Sequence, residues 1–138
     1  MKTKKIVIKD ELEKTISEIK SKQDQPGLDK ELDELYQQAN VYERIIEDYG
    51  EGAEITIRRL TFREQCKIYD RTANIKLRGN VTVGNPQIEA AMMDTVKYGL
   101  VSINGEEVNV EDLDSYLGEW LYEVIQDYSS VSTKKKRY

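Results

Sequence analysis

The side chains able to do chemistry are carboxylates, one thiol and a group of guanidinium and ammonium ions; histidine is absent and Cys66 is the only cysteine. Without histidine there is no Ser/His or Cys/His nucleophile system, no imidazole base and no zinc set of the usual Cys/His kind. A single cysteine also rules out a disulfide within the chain, which agrees with a reducing compartment. Acid pairs are plentiful, Glu106-Glu107 and Glu111-Asp112 among them. A metal-carboxylate site needs acids converging from separate elements. These acids stand instead in turns and helix starts, where the helix dipole favours negative charge. Asp29 and Asp33 lack the glycine and terminal glutamate of a calcium loop at the required spacings. Arg78-Gly79-Asn80 and Val83-Gly84-Asn85 are isolated turn signals rather than a phosphate loop. Cys66 falls on the apolar face of its expected helix and reads as a buried packing residue rather than a reactive thiol. No catalytic residue, cofactor or metal is expected. The residues point to a protein that binds.

One basic constellation has geometry. Arg58 and Arg59 precede Arg63, Lys67 and Arg71, and the last three recur at i, i+4 and i+8, a stripe on one helix face. This stripe lies in a strong pattern of charge. The net charge is −5, but residues 1–9 carry +4, 10–54 carry −9, 55–80 carry +5, 81–133 carry −9 and 134–138 carry +4. Such blocks favour pairing of opposite segments, within the chain or between chains. A general nucleic-acid binder would be net basic, and the two acidic blocks compete for the stripe, so no nucleic-acid partner is expected. With 138 residues, 38 % hydrophobic and 34 % charged, the core must be modest. No apolar run approaches the roughly 20 residues of a membrane span, and no signal-peptide pattern opens the chain, so no membrane partner is expected.

The elements that must position these groups are mostly helical. Ile6-Val7-Ile8 is a strand or the lead-in to a helix, and Asp10 is placed to cap a helix carrying Leu12, Ile16 and Ile19. Pro26-Gly27 breaks it. Leu28, Leu32, Leu35, Ala39, Tyr42, Ile46 and Tyr49 then follow the 4-3 steps of a heptad seam, ended by Gly50 and Gly52. A seam this narrow needs a partner: the rest of the chain, another copy or a foreign helix. Ile55-Thr56-Ile57 alternates as a strand, and Thr61 with Glu64 has capping-box spacing, so a helix starts at Phe62 with Phe62, Cys66, Tyr69 and Ala73 on one face. Ile75, Leu77, Val81 and Val83 alternate around Gly79-Asn80 as a hairpin or a loop. Asn85-Pro86 opens a helix through Ile88, Met92 and Val96 to Gly99. Asn104-Gly105 predicts a two-residue type I′ hairpin between short β-prone segments. Asn109 is placed to cap a last helix whose face is Val110, Leu113, Leu117, Trp120, Leu121, Val124, Ile125 and Tyr128, the keystone of the core. Gly118 within it suggests a close helix crossing.

Over about residues 55–130 this order of features resembles the tail assembly chaperones of long-tailed bacteriophages. A strand leads into Leu60-Thr61-Phe62-Arg63-Glu64 and a helix, and a second helix ends at Lys97-Tyr98-Gly99-Leu100-Val101. A turn carries Asn104-Gly105-Glu106, and the closing helix runs from Leu113 to Tyr128 with Trp120-Leu121-Tyr122. The resemblance implies a non-enzymatic protein of the host cytoplasm that shields the long helical tape-measure protein while tail-tube subunits assemble. It also implies that a longer form made by frameshifting is worth testing for, since Lys134-Lys135-Lys136 would be a slippery run if encoded by AAA codons.

The expected fold is α+β and mostly α-helical, with a helical hairpin over 1–52, a compact domain with short β-hairpins over 53–130 and a basic tail over 131–138. The partner-binding candidates are the seam residues Leu28, Leu32, Leu35, Tyr42, Ile46 and Tyr49 and the basic residues Arg59, Arg63, Lys67 and Arg71. The expected partners are phage tail proteins, the tape-measure and tube subunits, with a homo-oligomer as a further possibility. The alternative reading is a self-associating coiled-coil adaptor or structural virion protein.

Overall fold

The computed structural model describes residues 2–77 and 86–130. The elements are β1 (Thr3–Val7), α1 (Ile8–Lys22), α2 (Asp29–Tyr49), β2 (Glu54–Arg58), α3 (Phe62–Leu77), α4 (Pro86–Gly99), β3 (Leu100–Ile103), a 3₁₀ turn (Val110–Asp112) and α5 (Ser115–Ser129). This is the mostly helical α+β fold expected from the sequence.

The sheet has the order β1-β2-β3 and is antiparallel throughout, with Ile6 opposite Ile55 and Ile55 opposite Ile103. Period-two alternation in β2 sends Ile55 and Ile57 wholly into the core. They meet Ile8 and Ile45 from the first two helices and Leu117, Leu121 and Ile125 from α5, and all seven are fully buried. Each contributes roughly 1.5–3 kcal/mol by leaving water. The N-terminal hairpin therefore packs on the rest of the chain, and one continuous cluster joins residues on both sides of position 53.

Several local signals are realised. The chain reverses between α1 and α2 at Pro26-Gly27, with Gly27 at φ 83°, and α2 stops at Gly50, φ 98°. The Thr61–Glu64 box forms in both directions: Thr61 Oγ1 accepts from the Glu64 N–H at 3.2 Å and Glu64 Oε1 accepts from the Thr61 N–H at 2.8 Å. Asn104 (φ 55°) and Gly105 (φ 80°) make the two-residue turn.

Others differ. α1 starts at Ile8, directly off β1, and its N-cap is Val7, which supplies no side-chain cap; Asp10 sits inside the first turn. The pairing of Ile6 and Val7 with β2 fixes where the strand must end, and that overrides the capping preference of Asp10. After Asn104-Gly105 the returning segment makes a single bridge, Ile103 to Glu106, and no second strand. Asn109 does cap, its Oδ1 accepting from the Glu111 N–H at 3.1 Å, but the element it opens is a single 3₁₀ turn. Leu113 is extended, and α5 starts only at Ser115 with Asp114 as its N-cap. Gly118 faces open space, whereas the close approach is at Gly99, packed against Ile125. Ile75 and Leu77 belong to α3. The remainder of that alternating stretch, together with Asn85 and residues 131–138, lies outside the described residues.

Candidate functional site

Two surfaces of opposite character stand out. The first is the outer face of α3. The pair Arg58–Glu64 anchors its start: Arg58 donates from Nη2 to Glu64 Oε2 at 2.6 Å and from Nη1 to Oε1 at 2.9 Å. That bond, before any other cause, holds the Glu64 carboxyl below the usual glutamate range. Beyond this anchor, Phe62 is 85 % exposed and Tyr69 is 67 % exposed, with the Cys66 thiol also exposed between them. The expectation of a buried Cys66 is overturned. Its stripe is amphipathic, but no element of the described chain lies across it. The side chain of Ala73 is outside the described residues.

The basic residues divide at this point. Arg58 is consumed by Glu64, and Arg59 turns back over the ring of Tyr128, its guanidinium carbon 4.9 Å from the ring centroid. Arg59 Nε is buried with no hydrogen-bond partner. Arg63 and Lys67 stay exposed beside Phe62 and Tyr69, and the side chain of Arg71 lies outside the described residues. The candidate stripe is thus realised as an apolar and cationic face with Arg63 and Lys67 at its edge, and Arg59 does not join it.

The seam has a different fate. Ala39 and Tyr42 are buried, Ile46 and Tyr49 pack against the core cluster, and Leu28, Leu32 and Leu35 are half-buried along the paired helices α1 and α2. The hairpin is fastened at its far end by Lys22–Glu31 at 3.3 Å and by Gln23 donating to the Tyr36 hydroxyl at 3.1 Å. Near the core, the Tyr116 hydroxyl donates to Asp48 Oδ2 at 2.6 Å and Arg44 lies 4.4 Å from the Tyr116 ring centroid, tying α2 to α5. Burial, then the bond to Asp48, pushes the Tyr116 phenol up from its ordinary value.

The second surface is a groove of about 720 Å³ between the helical hairpin and α5. Its floor is apolar and aromatic: Val41, Val124, and Tyr42 set edge-on to Trp120 with ring centroids 5.9 Å apart. Glu119, Glu123 and Asp127 line it from α5 at i, i+4 and i+8, and Glu11 and Glu34 face them from the hairpin. Lys4 closes one end beside Tyr128. The carboxylate spacing on α5 was legible in the sequence. What was not legible was that Glu34 would stand across from it, because that depends on how α2 crosses α5. Trp120, expected as a core anchor, is also the floor of this groove.

Among the described residues no group of three or more cysteine, aspartate or glutamate side chains is arranged to hold a metal ion, and no helix is long and apolar enough to cross a membrane. Compared with protein-family models, curated proteins and solved structures, the chain finds no match.

Proposed function

We propose that this protein is a non-enzymatic assembly chaperone of the kind that serves long-tailed bacteriophages, and that it holds a helical segment of a tail protein against the outer face of α3. The observation that carries the reading is Phe62, a large apolar side chain 85 % exposed on an ordered helix, in line with exposed Cys66 and Tyr69. Contiguous exposed apolar groups on a helix mark a surface that another molecule covers. Arg63 and Lys67 border the stripe, so the fitting partner is an amphipathic helix with carboxylates flanking its apolar residues. The tape-measure protein, long and helical, supplies such segments in the family that residues 55–130 resemble.

The test is co-expression of the tagged protein with its neighbouring genes, followed by identification of what co-purifies. Recovery of a very long helical tail protein, lost on Phe62→Asp and Tyr69→Asp while folding is kept, is the expected result. Equal recovery with both variants would remove α3 as the docking face, and recovery of no tail protein would remove the chaperone reading.

The opposite charges of α3 and the groove favour a second reading, in which copies of the chain associate through these two surfaces. Oligomers that dissociate on Arg63→Glu with Lys67→Glu, with no foreign partner captured, would move the assignment there.

A further inference from the structure

The sheet order β1-β2-β3 makes β1 an edge strand with β2 as its one neighbour. Two hydrogen bonds in a single register frame that pairing. The Ile8 N–H donates to the Ala53 carbonyl at 3.1 Å, and the Arg59 N–H donates to the Lys2 carbonyl at 3.3 Å. Bonded residues alternate along an antiparallel pair, so Lys2, Lys4, Ile6 and Ile8 turn their main chain toward β2, and Thr3, Lys5 and Val7 turn theirs away. The Thr3 carbonyl agrees with this parity, since it accepts from the Tyr128 hydroxyl on α5 at 3.3 Å. The N–H groups of Thr3, Lys5 and Val7 and the Lys5 carbonyl have no partner among the described residues. At the other edge of the sheet, by contrast, Glu106 takes both the N–H and the carbonyl of Ile103. An edge with unpaired main-chain groups is a template for one more strand.

Charge decides what that strand can be. Lys4 and Arg59 both lie against the Tyr128 ring, 5.8 Å and 4.9 Å from its centroid, and Lys2 is bonded to Arg59 through the main chain. No carboxylate among the described residues comes within ion-pair distance of Lys2, Lys4 or Arg59. Arg59 also carries the buried Nε that lacks an acceptor. Of the acids on the groove lining that includes Lys4, Glu11 is held by Lys14 at 3.3 Å and Asp127 has a partner of its own. Two β1 strands pairing antiparallel about Lys5 would set Lys5 against Lys5, and like charges directly opposite are destabilising. A strand bearing carboxylates gains where a second copy loses.

We infer that the outer edge of β1 is a docking site for an extended, acidic segment of another protein. The segment adds as a further strand, pairs with the main chain of Lys5 and Val7, and sets carboxylates beside Lys2, Lys4 and Arg59. The inference stands apart from the reading of α3, because that face takes a helix and this edge takes an extended chain.

The probe is a seven-residue peptide alternating glutamate and valine, added in excess to the full chain at about 50 mM salt, where charge is weakly screened. Amide hydrogen exchange at Lys5 and Val7 is expected to slow by about tenfold or more, while Lys4 and Ile6, already bonded to β2, stay unchanged. Lys5→Pro removes the outward N–H and leaves the pairing with β2 intact, a change that edge strands accept. It should weaken the peptide by about tenfold, whereas Lys5→Thr, which keeps the N–H, should weaken it far less. Lys4→Glu should also weaken it, and the same peptide with lysine in place of glutamate should not bind. Unchanged exchange at Lys5 and Val7, equal binding by Lys5→Pro and Lys5→Thr, or equal binding of the lysine peptide each overturns the proposal. Protection that grows with protein concentration in the absence of peptide puts a second copy on the edge and overturns it equally. Should Lys5→Pro fail to fold, the alternation of protection along β1 in the unmodified chain decides by itself.

Discussion

α5 lays Leu117, Trp120, Leu121 and Ile125 against the sheet and the first two helices, whereas α3 turns Phe62, Cys66 and Tyr69 to solvent. Both sequences have an apolar stripe at helical spacing, so the stripe alone does not separate them. Attachment does. α5 is tied at both ends: Tyr116 donates to Asp48, the Leu60 N–H donates to Ser129 Oγ at 3.0 Å, and Tyr128 donates to the Thr3 carbonyl at 3.3 Å. α3 is anchored at its first turn through Arg58–Glu64 and packs along α4. A helix fixed at both ends has its apolar face covered by the chain. The first turns of α3, with Phe62, Cys66 and Tyr69 turned to solvent beside Arg63 and Lys67, have a face left for something else.

The largest contrast comes directly from this difference. Leu121→Ala is expected to cost about 2–5 kcal/mol in urea unfolding, since a fully buried side chain leaves a cavity. Phe62→Ala, on the same measurement, is expected to change stability by no more than about 0.5 kcal/mol. A comparable loss at both positions would mean that the α3 face is covered in the free protein.

Gly99 sharpens the α5 side of the comparison. A Cβ there would overlap Cγ2 of Ile125 and come within 2.8 Å of its Cδ1, and Ile125 has no open space to retreat into. Gly99→Ala is therefore expected to cost about 1–3 kcal/mol. Combined with Ile125→Ala, its penalty should shrink, because the second change removes the obstructing atoms. Simple additivity in the double-mutant cycle would place the strain elsewhere.

The same contrast explains what the sequence discloses and what it withholds. Signals that act within a few residues were readable: the Thr61–Glu64 box, the Gly50 stop, the Asn104-Gly105 turn and the alternation of β2. Contacts between distant segments were not. Asn104 reads as a turn residue, yet its side chain also accepts from the Glu54 N–H at 2.9 Å and donates to the Tyr49 carbonyl at 3.0 Å, joining α2 and β2. Cys66 reads as buried because its face is apolar, and nothing local says whether another element will cross it. Gly118 and Gly99 look alike in sequence, while only one of them meets a neighbour. The groove combines both cases, with α5 carboxylates visible by spacing and their counterparts on the hairpin visible only in three dimensions.

The α3 anchor should be sensitive to acid. Glu64 accepts from Arg58 and from the Thr61 N–H, and these bonds hold its carboxyl below the ordinary glutamate value of about 4.3. A depressed carboxylate contributes stability that is fully present above the unfolded value and is lost as pH falls through the folded one. Glu64→Ala is expected to cost about 1–2 kcal/mol at neutral pH, from the lost cap and the charged bond. The gap between variant and wild type should close as pH falls below about 4. A gap that stays constant down to acid pH would show that the pair does not hold the helix start.

The smallest effect is at Gly118, on the helix whose other face is so closely fitted. An added Cβ there meets nothing within 4 Å, and the residue lies well inside α5. Glycine in a helix interior costs about 1 kcal/mol relative to alanine through backbone entropy. With no contact to oppose it, Gly118→Ala should raise stability by about 0.5–1 kcal/mol, seen as a higher urea midpoint at unchanged slope. A loss instead would mean that the surface of α5 around Gly118 is occupied in solution. Since Gly118 adjoins Glu119 in the chain, that loss would carry information about the groove as well as about the helix.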